Sequence, residues 1–213
     1  MIEDVHPRGP VLPPDDQLVE LLRAGDDAAF AALLDAWSGG LLRLARSCVS
    51  TADSAAEVVQ DTWLAVVEGI DGFACRSSVK TWVYRILANT AQRRGARESR
   101  VVPMEGPTVD PDRFQGAGEP FPGHWRQFPT PWPVSTAPGP EQAALAAETR
   151  DQLADALAGL PERQRLTITL RDVEGFTAEE VCTILDISAA NQRVLLHRAR
   201  AAVRAHLERF FTA

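Results

Sequence analysis

Basic side chains are concentrated in two short segments of this sequence, and their chemistry is that of phosphate binding. From Arg76 to Arg100 the chain holds seven basic residues and one acid, and from Ile187 to Ala213 it holds five arginines and one acid. Guanidinium groups bind phosphates bidentately and displace counterions from nucleic acids. Because the whole chain has a net charge of -7, the remainder is strongly acidic, and two separate contacts with one polyanion are indicated. For either segment alone, a solvated helix face is the alternative.

Catalytic or metal chemistry is not indicated by the residue pattern. The sequence contains no Gly-rich phosphate loop and no GxSxG motif. The histidines and cysteines are dispersed, without CxxC or other metal-ligand spacing: His6, His124, His197, His206, Cys48, Cys75 and Cys182. We therefore expect no enzyme, no cofactor and no metal, and a reduced, cytoplasmic setting. A redox-sensing role for Cys75 is an alternative, although the sequence places no second cysteine nearby that could form a disulfide with it.

The N-terminal residues do not read as a targeting segment. Met1 to Pro14 carries four prolines and no apolar core of a signal peptide, and no run of 18 apolar residues follows. We expect neither export nor contact with a membrane.

The elements that position the basic segments are predicted to be helices throughout. Apolar residues recur at spacings of three and four from Asp16 to about Arg97 and from Glu141 to Phe211. Between them, Pro103 to Pro140 contains ten prolines and five glycines, which excludes regular helix. This predicts an all-α fold of two small helical domains, residues 16–100 and 141–213, joined by a Pro-rich linker at 101–140, after a disordered tail at 1–15. Five aromatic residues suggest that the linker docks on a partner: Phe114, Phe121, Trp125, Phe128 and Trp132.

The second helical domain has the signals of a helix-turn-helix. Pro161 suits the start of a helix and Gly175 its end. Thr177 and Glu180 have the spacing of a capping box, and Ser188 can cap the last helix. That helix is apolar on one face and Arg-rich elsewhere, a form that can enter the major groove of DNA, where arginine reads guanine. A plain amphipathic hairpin packed in a helical core is the alternative.

Five segments together resemble the extracytoplasmic-function sigma factors, a group of the sigma-70 family. They are Ala55 to Trp63, Ser78 to Asn89, Leu160 to Arg165, Gly175 to Thr177 and Leu196 to Arg200. The resemblance implies sigma region 2 in the first domain and sigma region 4 in the second. It also implies an alternative sigma factor of a stress response, which binds core RNA polymerase through the clamp helices of its largest subunit and the flap of the second-largest subunit. An anti-sigma factor is implied as a further partner.

The resemblance also assigns roles to residues. Polymerase binding falls to four residues at helical spacing: Glu57, Gln60, Asp61 and Leu64. Recognition and melting of the minus-ten element, with a base flipped into the loop from Asp71 to Ser78, falls to Arg76, Ser77, Ser78, Lys80, Trp82, Arg85, Asn89, Arg93 and Arg94. Binding of the duplex minus-35 element falls to Thr177, Ser188, Asn191, Arg193, Val194, His197, Arg198 and Arg200. For Trp82 a role as a core tryptophan that braces two helices is the alternative, and Arg76 and Lys80 could be merely solvated.

The sequence departs from the usual family pattern in the last helix. Gln192 replaces a small β-branched residue, and Val194 and Leu195 replace residues that are often Ser and Arg. The rotation of the recognition helix is therefore left open. A conventional regulator that binds an operator without polymerase is the competing function, but it would leave the helix around Val59 to Trp63 unexplained.

Overall fold

The computed structural model describes residues 12–98 and 140–212, with the backbone alone at residues 140–147 and 212. Within these ranges all regular structure is helical, which confirms the predicted all-α fold. Residues 101–139 of the predicted linker and residues 1–11 of the predicted tail lie outside the described residues, and the domain boundaries stay a prediction. The helices are α1 Asp15–Arg23, α2 Asp27–Arg46, α3 Ala52–Gly69, α4 Val79–Glu98, α5 Pro140–Ala158, α6 Glu162–Ile168, α7 Ala178–Leu185 and α8 Ala189–Thr212.

Local capping explains where several helices begin. The Asp26 side chain accepts a hydrogen bond from Ala29 N at the start of α2, and Thr51 does the same for Ser54 N at the start of α3. The capping box of Thr177 and Glu180 is present at α7, which confirms that prediction. Such caps satisfy backbone donors that the first turn of a helix leaves free.

The described residues form two compact units. The first contains residues 12–98 and 170–187, and the second contains residues 140–169 and 188–212. The predicted helix-turn-helix therefore contributes α7 to the first unit and α8 to the second.

The core of the first unit lies between α2, α3 and α4. Leu33 and Leu44 of α2, Val58 of α3 and Leu87 of α4 are fully buried. Gly40 permits the close approach of α4, because a Cβ there would overlap the hydroxyl of Tyr84. Of the described helices, α2 alone is long and apolar enough to cross a membrane by length and composition, a test that a core helix also passes.

The core of the second unit is built on α8. Leu196, Ala199 and Val203 of this helix pack with Ala156 of α5 and Ile168 of α6. The predicted apolar face of the last helix is therefore confirmed.

Candidate nucleic-acid interface

The four residues assigned to polymerase binding share one exposed face of α3. Glu57, Gln60, Asp61 and Leu64 follow each other at three- and four-residue spacing, and all four are exposed. The face also includes Val67, which the sequence reasoning missed although it lies three residues after Leu64. Leu64 and Val67 are 55% and 57% exposed, so the face combines acids with uncovered apolar surface. Trp63 is buried against Phe30 and belongs to the core.

The acidic face of α3 is tied to the end of α4 through Arg94. The guanidinium of Arg94 forms ion pairs with Glu57 and, at 3.4 Å, with Glu98. Glu98 also accepts hydrogen bonds from the hydroxyl and backbone N–H of Ser50 at 2.6 and 2.8 Å. These Ser50 hydrogen bonds hold the pKa of Glu98 at about 2, below its usual 4.5. Arg94, which the resemblance assigned to the minus-ten element, is therefore paired with two carboxylates within the unit.

The loop from Asp71 to Ser78, loop 71–78 below, begins in a short 3₁₀ turn and ends at the cap of α4. Ser78 Oγ accepts from Thr81 N at 3.1 Å and lies 2.8 Å from the Thr81 hydroxyl. Cys75 has a φ of 51°, a left-handed conformation that a non-glycine residue rarely adopts. Arg76 is exposed, while Ser77 and Ser78 are half-buried. The loop thus offers Arg76 to solvent, and Ser78 has a structural role as a helix cap.

Two residues of α1 hold this loop, and the sequence reasoning missed both. The guanidinium of Arg23 donates to the carbonyls of Ile70 and Phe73 at 3.3 and 2.8 Å. Asp15 Oδ2 accepts from Val79 N at 3.0 Å. These contacts join residues 47 to 64 positions apart, so no local pattern could have shown them.

One face of α4 presents four of the residues assigned to the minus-ten element. Trp82, Arg85, Asn89 and Arg93 lie on this face by helical spacing, and all but the half-buried Trp82 are exposed. The Trp82 ring packs on that of Phe73, with 4.8 Å between the ring centroids. Trp82 therefore braces loop 71–78 against α4 and still keeps part of its ring accessible.

Lys80 does not belong to that face. It lies two residues before Trp82 and so on the other side of α4. Its ammonium sits 4.6 Å from the centroid of the Phe176 ring and 3.4 Å from the carbonyl oxygen of Glu174. The cation–π contact and the hydrogen bond engage Lys80 within the first unit.

Glu174 is the centre of a buried polar cluster beside Lys80. Its carboxylate accepts from the Tyr84 hydroxyl at 2.9 Å and pairs with Arg43 at 3.0 Å, and the Glu174 side chain is 6% exposed. Burial, followed by the Glu174 charge, raises the pKa of Tyr84 well above its usual value. Nearby, the hydroxyl of Thr81 donates to Glu180 at 3.1 Å. These contacts hold residues 170–187 onto α4.

The residues assigned to the minus-35 element divide into caps and an exposed helix face. Thr177 caps α7, and Ser188 Oγ accepts from Asn191 N at 3.2 Å, which confirms the predicted cap of α8. Arg193, Val194 and His197 share a face of α8 by their spacing. The other exposed or half-buried members of the set flank that face: Asn191, Arg198 and Arg200.

Gln192 fixes the rotation of α8 that the sequence left open. It is 2% exposed and lies on the same stripe as Leu196, Ala199 and Val203. Its Nε2 finds no hydrogen-bond partner among the described residues. With Gln192 turned inward, Arg193 and Val194 necessarily face outward.

In the described ranges no group of three or more His, Cys, Asp or Glu side chains could hold a metal ion. The exposed features of the two units are an acidic and apolar face on α3, a basic and aromatic face on α4, and a basic face on α8.

Comparisons with known proteins identify the family of the chain. The family models Sigma-70 region 2 and Sigma-70, region 4 match residues 33–101 and 150–203. The ECF RNA polymerase sigma-E factor of Haemophilus influenzae is 30% identical over 186 residues, which are 87% of this chain and 91% of that protein. The sigma-E factor of Escherichia coli K12 is 28% identical over 190 residues, 89% of this chain and 92% of that one.

Two solved structures share the fold. CnrH in complex with the cytosolic domain of CnrY matches with a TM-score of 0.59 and 21% identity, covering 91% of this chain and 97% of that one. The sigma factor RpoE in complex with the anti-sigma factor NepR from Bartonella quintana matches with a TM-score of 0.53 and 22% identity, covering 91% and 95%. An operator-binding regulator independent of polymerase is not favoured. The chain belongs to the extracytoplasmic-function group of the sigma-70 family and is an alternative sigma factor of transcription initiation.

Proposed function

We propose that this sigma factor uses three separate surfaces: α3 to dock on core RNA polymerase, α8 to read upstream duplex, and α4 with loop 71–78 to open the downstream element. The observation that carries the proposal is the separation of charge in the first unit. Acids and uncovered apolar residues lie on α3, whereas arginines and an aromatic ring lie on α4. Protein and nucleic acid can then bind at the same time without competing for one surface.

The α3 face has the composition of a protein interface. Its apolar residues Leu64 and Val67 are more than half exposed, and covering them with a partner recovers the free energy of apolar burial. Beside them Asp61 can pair with a basic partner and the Gln60 amide can form hydrogen bonds, while Glu57 is paired with Arg94. The clamp helices of the largest polymerase subunit are the partner that the family implies.

The α4 face combines the two requirements of promoter opening. Arg85 and Arg93 can neutralise phosphates, which positions the strand without selecting its sequence. The accessible part of the Trp82 ring offers a surface on which an unpaired base can stack. Arg76 in the adjoining loop can then read the edge of a base that has left the duplex.

The α8 face reads duplex DNA through a different chemistry. Arg193 is exposed on the first turns of the helix, beside the apolar Val194 and the imidazole of His197. A bidentate arginine contact to guanine supplies direct readout in the major groove, and an apolar side chain can meet a thymine methyl group. Sequence selection in the upstream element falls to these residues.

Three further inferences follow from the family and its relatives. The Bartonella RpoE structure contains the anti-sigma factor NepR, and we infer an anti-sigma partner for this chain as well. The chain works in the cytoplasm, where polymerase is found. It performs no catalytic step itself, because the core enzyme joins the nucleotides.

The docking surface is tested by the double variant Gln60→Ala/Asp61→Arg. We expect copurification with core polymerase to fall at least about tenfold, since a repulsive charge would stand at the centre of the α3 face. Asp35→Arg is the matched control, because Asp35 is also an exposed acid but lies on α2. Normal copurification of the double variant, with both variants folded as judged by thermal unfolding, would remove α3 from the interface.

A further inference from the structure

Both ends of loop 71–78 are held by a single helix, α1. At the start of the loop, Arg23 Nη2 lies 2.8 Å from the carbonyl oxygen of Phe73 and 3.5 Å from that of Asp71, while Arg23 Nε reaches the carbonyl of Ile70 at 3.3 Å. At the far end, Asp15 accepts the backbone N–H of Val79 at 3.0 Å. Helix α1 precedes residue 33, where the match to the region 2 family model begins.

Arginine is suited to the first of these contacts by its shape. A guanidinium carries five N–H donors in a rigid, planar fork, so it can engage several carbonyls that converge from one turn of chain. The carbonyls of Ile70 and Phe73 both reach the guanidinium because Ile70 begins the 3₁₀ turn Ile70–Gly72 and Phe73 directly follows it. A flexible ammonium group would hold the same carbonyls with less geometric precision.

We propose that Arg23 and Asp15 form a positioning pair that presets loop 71–78 for the flipped base of the promoter. This inference rests on the proposed function of the loop. Neither residue needs to touch DNA: together they fix the frame from which Arg76 projects. A loop ordered in advance does not lose conformational entropy when it captures a base, so opening is faster and discrimination between bases is sharper.

The Asp15 end allows a test with a conservative variant. Asp15→Asn keeps an oxygen that can accept from Val79 N, whereas Asp15→Ala removes it. In holoenzyme made with the full chain, we expect Asp15→Ala and Arg23→Ala to slow open-complex formation on duplex promoter by about 5- to 30-fold. Both should also relax the preference for the flipped base, measured with promoters substituted at each melted position. Asp15→Asn should restore both properties.

Two controls distinguish positioning of the loop by Arg23 and Asp15 from a purely structural role of these residues. Arg46→Ala removes an exposed arginine from the end of α2 and matches the charge change of Arg23→Ala; it should open promoters normally. Association with core polymerase should be unchanged in every variant. If Arg23→Ala lowers the stability of the protein, the comparison of Asp15→Ala with Asp15→Asn tests the proposal instead, because these two variants differ in the hydrogen bond to Val79 N.

The proposal is overturned if Asp15→Ala and Arg23→Ala open promoters at the normal rate with normal base preference, or if Asp15→Asn is as defective as Asp15→Ala. Arg76→Ala distinguishes this failure from that of the proposed function. If Arg76→Ala is defective while the α1 variants are normal, the positioning pair alone is wrong. If Arg76→Ala is also normal in rate and preference, loop 71–78 does not read a base.

Discussion

Tyr84 permits an unusually direct test of the buried cluster around Glu174. It is the single tyrosine of the sequence, so tyrosinate absorbance at alkaline pH reports Tyr84 alone. Tyr84 is 1% exposed, and its hydroxyl donates to Glu174 at 2.9 Å. Burial first, and then the negative charge of Glu174, raise the pKa of Tyr84 above the ordinary value of 10.0.

The raised pKa fixes the sign of the pH dependence. Above pH 10 the unfolded chain releases the phenolic proton while the folded chain retains it, so stability is fully present below pH 10 and falls as the pH rises. The loss approaches about 1.4 kcal/mol for each pH unit above 10. Over one and a half units it reaches about 2 kcal/mol, a large part of the stability of a small helical unit.

The assay follows tyrosinate absorbance and helical circular dichroism together during an alkaline titration. We expect tyrosinate to be absent at pH 10.5 and to appear only as helicity is lost. Glu174→Gln removes the nearby charge and should lower the pKa of Tyr84 partway toward 10, because burial remains, so that stability falls less steeply above pH 10. Tyr84→Phe should show a weaker fall in stability above pH 10. Reversible ionisation near pH 10 with full helicity would refute the burial and hydrogen bond of Tyr84.

Two further predictions concern single side chains. Glu98→Gln should destabilise the protein at pH 7 by at most about 1 kcal/mol and should flatten the loss of stability on acidification. The reason is that the depressed pKa of Glu98 contributes stability above about pH 4.5 that is lost as the pH falls toward 2. Urea unfolding across this pH range measures the loss. If the variant loses stability on acidification as steeply as the original protein, the Ser50 hydrogen bonds are contradicted. Gln192→Met should raise the free energy of unfolding by about 1 kcal/mol, because it replaces a buried amide that lacks a partner with an apolar chain of similar size; a lower melting temperature would mean that the amide is satisfied.

The features that the sequence predicted correctly are those that neighbouring residues determine. The capping box of Thr177 and Glu180 and the cap of α8 at Ser188 depend on contacts three residues apart. The buried stripe of α8 follows from helical periodicity. Helical periodicity also predicted the exposed face of α3, whose residues follow each other at spacings of three and four: Glu57, Gln60, Asp61 and Leu64.

The features that it missed depend on packing between distant segments. Arg23 and Ile70 are separated by 47 residues, and Tyr84 and Glu174 by 90; no periodicity connects such pairs. The resemblance assigned Lys80 to the minus-ten element, and its contact with Glu174, 94 residues away, could not be read from the sequence. Gln192 was noted as a departure from the family pattern that left the rotation of α8 open, and the structure places it on the buried stripe of that helix.

The central claim is that duplex reading and promoter opening belong to different surfaces, and permanganate footprinting of unpaired thymines tests it most directly. Holoenzyme with Arg193→Ala or Arg76→Ala is compared with wild type on a duplex promoter and on one pre-opened as a mismatched bubble. Arg193→Ala should weaken recruitment by about 1 to 3 kcal/mol, with incomplete rescue by the bubble. Arg76→Ala should be recruited normally but open slowly, and the bubble should restore transcription. Normal recruitment of Arg193→Ala without opening, together with failed recruitment of Arg76→Ala, would contradict the division of labour.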